Sequence, residues 1–143
     1  MIKKNLFQPV ITTQKTELNL YASPISAGFP SPADDYIEAK LDLNELLIEN
    51  RPATYLVRVS GDSMVGAAIC DGDILIVDAS KKPTDGKIVV AAIDGEFLVK
   101  RYWTHHKKTY LKSENPNYPP LEINSENDVS ILGVVTGVVR QVK

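Results

Sequence analysis

After residue 54 the apolar positions gather into short runs divided by polar turn clusters, and that pattern predicts strands. Thr54-Tyr-Leu-Val-Arg-Val59, Ile74-Leu-Ile-Val77, Lys87-Ile-Val-Val-Ala-Ala-Ile93, Glu96-Phe-Leu-Val-Lys-Arg-Tyr-Trp103, Thr109-Tyr-Leu111 and Val129 to Val139 are rich in β-branched and aromatic residues. Clusters such as Cys70-Asp-Gly-Asp73 and Lys82-Pro-Thr-Asp-Gly86 separate them. Asp94-Gly95 between two runs is a strong hairpin signal, because a two-residue type I′ turn needs positive φ at both positions. Upstream, Asp42 and Glu45 form an Asp-x-x-Glu cap. Leu43, Leu46 and Leu47 then fall on one face of a short helix that Asn50, Arg51 and Pro52 end. Six or so strands with one small helix predict a compact, mostly β domain over residues 36–143, barrel-like or built of packed sheets.

Residues 1–35 have a different texture. Thr, Gln, Lys, Asn, Ser and Pro dominate, apolar residues keep no sustained period, and Pro24, Pro30 and Pro32 each remove a backbone donor. This predicts an extended, weakly held arm. Within it, Ala27 and Gly28 are small enough to let another backbone approach, while the flanking prolines favour an extended conformation. Such a stretch suits a protease substrate strand, and it equally suits a plain linker.

At 143 residues the chain has room for one domain with a real core and a short appendage. Its formal net charge of -2 advertises no direct attraction to DNA or to an anionic membrane, so any link to nucleic acid should run through another protein. No long apolar window or signal-peptide pattern is present, which predicts a cytoplasmic protein. The single Cys70 cannot form an intramolecular disulfide. It is also a poor nucleophile, lying beside the carboxylate of Asp71 with no base nearby in sequence. His105-His106-Lys107-Lys108 reads as a solvated basic loop. Asp71, Asp73 and Asp78 lack the calcium-loop pattern, and no cofactor or metal is expected.

Two residues stand out chemically. Ser63 follows a strand end and Gly61, which permits a tight turn that exposes the next side chains. Lys100 lies among Phe97, Leu98, Val99, Tyr102 and Trp103, and alternation puts it on one face with Glu96, Leu98 and Tyr102. A solvent-facing lysine whose stem covers Leu98 is one reading of that position. The other is an amine in an apolar cleft, where desolvation lowers the pKa until the neutral form can take a proton from a serine hydroxyl. The backbone amides of Asp62 and Ser63 would then be the donors for the oxyanion. Such a base should lie near hydrogen-bond reach of the hydroxyl, about 2.6–3.2 Å.

With these residues in hand, the sequence resembles the self-cleaving LexA/UmuD family of serine peptidases (S24). The match runs through Ala27-Gly-Phe-Pro-Ser-Pro-Ala-Asp-Asp-Tyr36, Leu41-Asp-Leu-Asn-Glu-Leu-Leu-Ile48, Ser60-Gly-Asp-Ser-Met64, Asp71-Gly-Asp-Ile-Leu-Ile-Val-Asp78, Val90-Ala-Ala-Ile-Asp-Gly-Glu-Phe97, Val99-Lys100 and Gly133-Val-Val135. The resemblance implies that Ser63 is the nucleophile, Lys100 the general base and Ala27-Gly28 the bond cut in the chain itself. Alanine at that bond is as in the LexA repressors, whereas family members that serve translesion polymerases typically carry cysteine. The roughly 27 residues before the cut are too few and too unpatterned for a helix-turn-helix, which favours a polymerase subunit over a repressor. The resemblance further implies homodimers, cleavage stimulated by the RecA filament on single-stranded DNA in the SOS response, and a shortened form that joins a UmuC-type polymerase subunit. The rival readings are a non-catalytic interaction module, a repressor fragment, and a membrane signal peptidase, which would need an anchor.

Overall fold

The computed structural model describes residues 15–22, 24, 25 and 36–143. It divides into two compact units, Met1–Leu46 and Leu47–Lys143. Their elements in order are β1 (Glu17–Tyr21), β2 (Ile37–Asp42), α1 (Leu43–Leu47), β3 (Thr54–Arg58), β4 (Ile74–Asp78), β5 (Ile88–Ile93), β6 (Glu96–His105), β7 (Lys108–Lys112), β8 (Leu121–Glu122) and β9 (Val129–Val139). The mostly β class with one short helix is borne out, and the residues at Ala27-Gly28 lie outside those described.

In the first unit β1 pairs antiparallel with β2, from Glu17 opposite Asp42 to Tyr21 opposite Ile37. The segment read from sequence as unpatterned arm therefore contains a strand with a partner. Every residue of β1 is exposed, so backbone pairing and not burial holds it, and a strand without a buried face leaves little hydrophobic signal. Asp42 caps α1 as its spacing predicted: Oδ1 accepts the N–H of Asn44 at 2.8 Å and of Glu45 at 3.4 Å. Its Oδ2 accepts the N–H of Thr16 at 2.9 Å.

The second unit is one antiparallel sheet in the order β3-β4-β9-β5-β6-β7-β8. Its edge strands β3 and β8 do not pair, so the sheet stays open and no barrel closes. Asp94 at φ 48° and Gly95 at φ 86° make the expected tight turn between β5 and β6. Alternation sorts the apolar residues onto two sides. Val59, Met64, Ile69, Leu75, Val77 and Val90 form one cluster, while Val89, Ala91, Ile93, Leu111 and Val134 form the other, joined by Leu98 and Tyr102. Since Lys100 stands opposite Val89 across the β5–β6 ladder, its stem belongs to the second side. Arg101, one residue on, points the other way.

The C-terminal end of β9 is tied back to the loop before β4. Arg140 meets the carboxylate of Asp73 with two nitrogens, Nε at 2.6 Å and Nη2 at 2.5 Å, and Nη2 also donates to the carbonyl of Ala68 at 2.9 Å. The Asp73 side chain is 2% exposed and also accepts the N–H of Cys70, which satisfies both of its oxygens. The bonds from Arg140, then from the Cys70 amide, hold this carboxyl down at about 2. A carboxyl depressed in the folded state stabilises above its unfolded value and loses that contribution as pH falls through its folded one. Arg140→Leu should therefore lower the melting temperature at pH 7. The gap to the wild type should close as pH drops from about 4 toward 2, and melts across that range check it. A gap unchanged down to pH 2 would disprove the coupling.

Candidate active site

The loop that carries Ser63 is closed at its neck and plugged into the core. Val59 donates its N–H to Asp73 O and its carbonyl accepts from Gly72 N, both at 2.8 Å, which makes residues 59–73 a sealed excursion between β3 and β4. Inside it, Gly61 at φ 95° turns the chain and donates to Asp71 Oδ1 at 2.8 Å. Met64 and Ile69, each 2% exposed, face the first apolar cluster and leave half-buried Ser63 on the other side of the turn. Among the described residues the Ser63 hydroxyl takes no hydrogen-bond partner. The backbone N–H groups of Asp62 and Ser63 are likewise unspent. An oxyanion site needs unspent donors of this kind, aimed at the point where the charge develops.

Lys100 reaches the region from β6. Its amine donates to Ser113 Oγ at 2.5 Å and lies 5.4 Å from the ring centre of Tyr118. Burial of the lysine pushes its pKa down. No hydrogen bond joins Lys100 to Ser63 in this structure, so the direct contact expected from sequence is not among those made.

The segment that receives the amine also grips the serine turn. Glu114 O accepts the N–H of Gly66 at 2.8 Å, Asn115 Nδ2 donates to Asp62 O at 3.0 Å, and Tyr118 Oη donates to Asp62 Oδ1 at 2.8 Å. Lys100 and the residue preceding Ser63 thus meet one short stretch, 113–118, and share Tyr118 within it. On the other face of β6, Arg101 Nε bonds Glu114 Oε1 at 2.5 Å, which fixes that stretch to the sheet.

The family model for peptidase S24-like proteins matches residues 19–136. The chain belongs to this family. It is 42% identical over 125 residues to the ImpA protein of Salmonella typhimurium, covering 87% of this chain and 84% of that one. It is 40% identical over 136 residues to the MucA protein of Escherichia coli, covering 94% and 92%. LexA repressor 1 of Geobacter sulfurreducens is 38% identical over 120 residues, covering 83% of this chain but 59% of the repressor. The resemblance stated from the motifs is therefore borne out at the level of the family, a family of serine-type peptidases. No helix among the described residues is long and apolar enough to cross a membrane.

Several residues of the site carried no usable signal in the sequence. Ser113, Glu114, Asn115 and Tyr118 sit in what reads as a polar turn, and their roles exist only through contacts as far as 56 positions away. Gly66 is another. A Cβ built there would stand 2.6 Å from Glu114 O, closer than carbon and oxygen can approach. A separate apolar cavity of about 480 Å³, lined by Tyr55, Val57, Val90, Phe97, Val99 and Leu132, contains neither Ser63 nor Lys100. Gly66→Ala should force the turn and the 113–118 stretch apart and destabilise the domain by about 1–3 kcal/mol, read as a lower denaturant midpoint. Wild-type stability in that variant would mean the close approach is unimportant.

Proposed function

We propose that the protein is a self-cleaving serine peptidase that cuts its own chain between Ala27 and Gly28, with Ser63 as nucleophile and Lys100 as general base. The observation that carries this reading is a desolvated lysine amine, bonded to no carboxylate among the described residues, held by the same short stretch that grips the turn bearing a free serine hydroxyl. In the reaction the Ser63 O–H bond breaks, its proton passes to the lone pair of neutral Lys100, and the oxygen bonds the Ala27 carbonyl carbon. The amides of Asp62 and Ser63 receive the oxyanion. Lys100 then returns the proton to the leaving Gly28 nitrogen, and water releases the acyl group by the same path in reverse.

The family relationship supports a wider role, in which the protein works as a homodimer, is stimulated by the RecA filament on single-stranded DNA, and after shortening joins a UmuC-type subunit of a translesion polymerase. Two of the relatives, ImpA and MucA, match over most of their own length, whereas the LexA repressor extends well beyond the match. The match to ImpA and MucA over 84% and 92% of their lengths supports the polymerase-subunit branch. RecA would act by favouring the docked arm, a population shift that needs no extra catalytic group. The rival from another class is a non-catalytic module whose arm only pairs with a partner.

Intact-mass measurement of the purified full chain after incubation at alkaline pH separates the two. Loss of residues 1–27 is expected, and an unchanged mass would favour the module. Ser63→Ala and Lys100→Ala should each remain folded and lose cleavage by about 10³-fold or more. Cleavage by either at the wild-type rate would end the assignment. The wild-type rate should climb with pH as Lys100 loses its proton. Because burial lowers its pKa, the climb should be complete below the range of an exposed lysine, about 10.4. A flat profile from pH 7 to 10 would argue against a lysine base.

A further inference from the structure

We propose that Ser113 is a positioning residue for Lys100, accepting one of its N–H groups so that the lone pair of the neutral amine is turned away from Ser113 and toward the serine turn. The inference rests on the Ser63–Lys100 reading and adds to it a residue that the motifs do not contain. Ser113 directly follows β7, where the ladder ends at Arg101 opposite Lys112, and this places it beside Lys100 on the next rung. It is 7% exposed, and among the described residues its one side-chain hydrogen bond is the 2.5 Å contact with the Lys100 amine.

The chemistry of the pair explains why a hydroxyl serves here. A neutral amine has two N–H bonds and one lone pair on a tetrahedral nitrogen. Once an N–H is fixed on Ser113, the lone pair must lie in another direction, and the long lysine stem loses the freedom that would otherwise spoil its aim. A carboxylate in the same place would also orient the amine, but it would hold the proton on it. The charged groups around the amine are arranged to avoid this. Glu114 is engaged by Arg101 on the opposite face, Asp62 is bonded to the Tyr118 hydroxyl, Lys112 points with Arg101, and Tyr118 offers the amine its ring face at 5.4 Å.

The test compares full-length wild type, Ser113→Ala, Ser113→Thr and Lys100→Ala for spontaneous self-cleavage from pH 6 to 11, with thermal melts alongside. Ser113→Ala should lower the plateau rate by about 10²-fold. It should also move the midpoint of the profile to lower pH, because an ammonium loses more than an amine when a hydrogen-bond acceptor is removed. Ser113→Thr, which keeps the hydroxyl, should restore most of the rate and the midpoint. A Ser113→Ala profile that superimposes on the wild type, with Lys100→Ala inert, would overturn the role of Ser113 while leaving the dyad standing. A slower Ser113→Ala with an unmoved midpoint and no rescue by threonine would overturn it too, as a merely structural loss. Cleavage by Lys100→Ala at the wild-type rate would instead sink the underlying reading. As a readout free of turnover, the side-chain carbon resonances of Lys100 in Ser63→Ala should titrate at lower pH when Ser113→Ala is added, and an unchanged titration would count against the proposal.

Discussion

The chemistry proposed for this domain depends on one constraint: a turn from the loop between β3 and β4 must be held against a stretch that follows β7, fifty-odd residues later. Three bonds do this, from Gly66 N to Glu114 O and from Asn115 and Tyr118 to Asp62. Each nets only about 1 kcal/mol, and two are exposed to water, so hydrogen bonding alone would leave the junction loose. Its firmness comes from what lies on either side. Met64 and Ile69 drive the turn into the first apolar cluster, and the β6–β7 ladder with the Arg101–Glu114 pair fixes the other partner. Two rigid bodies are thereby brought together by weak contacts, and Gly66 lets their backbones touch.

Lys100 and Arg101 show how neighbouring cations on one strand are given different fates. Alternation sends them to opposite faces of β6. Arg101 receives a carboxylate, so it stays charged and structural. Lys100 receives a buried hydroxyl and the face of a phenol, so desolvation acts on it with no bonded anion to offset it. A lysine placed where Arg101 meets Glu114 would keep its proton. The difference lies in which side each residue faces, and a slip of one residue in the β5–β6 register would erase it.

This explains which parts of the molecule could be read from residues alone. Apart from β8, the strands of the large sheet were legible because each is a run rich in β-branched or aromatic residues, the hairpin because Asp94-Gly95 fits few other conformations, and the helix start because Asp42 is a side-chain cap. Strand β1 was missed: Leu18 and Leu20 alternate with polar residues, but over a run of only five residues set in a polar stretch, too short to stand out. Strand β8, two residues long, had too little pattern to register. At the site, Ser63 and Lys100 stood out as types in odd settings, but alternation left the facing of Lys100 open, since Phe97 and Val99 on the other side are as apolar as Leu98 and Tyr102. Phe97 proves 74% exposed, so apolar character on that side does not mean core. Ser113 could not be found by any such reasoning, because a serine after a strand is ordinary and only its partner makes it unusual.

The same logic bears on speed in the proposed reaction. A histidine base would sit near its own pKa at neutral pH, whereas a lysine must be brought down by burial, and the Ser113 hydroxyl limits how far it falls because it also solvates the ammonium. In the proposed mechanism the supply of neutral amine then sets the pace of the proton transfer. For an enzyme with many substrate molecules to process this would be a defect. For a chain that cuts itself once, with the scissile bond tethered at high effective concentration, a slow base restrains premature cutting and leaves room for an external partner to accelerate it by favouring the docked arm. Regulation of that kind suits a site whose parts stand close but are not yet joined: the serine turn is bonded to residues 113–118, while the Lys100 amine rests on Ser113 and not on Ser63.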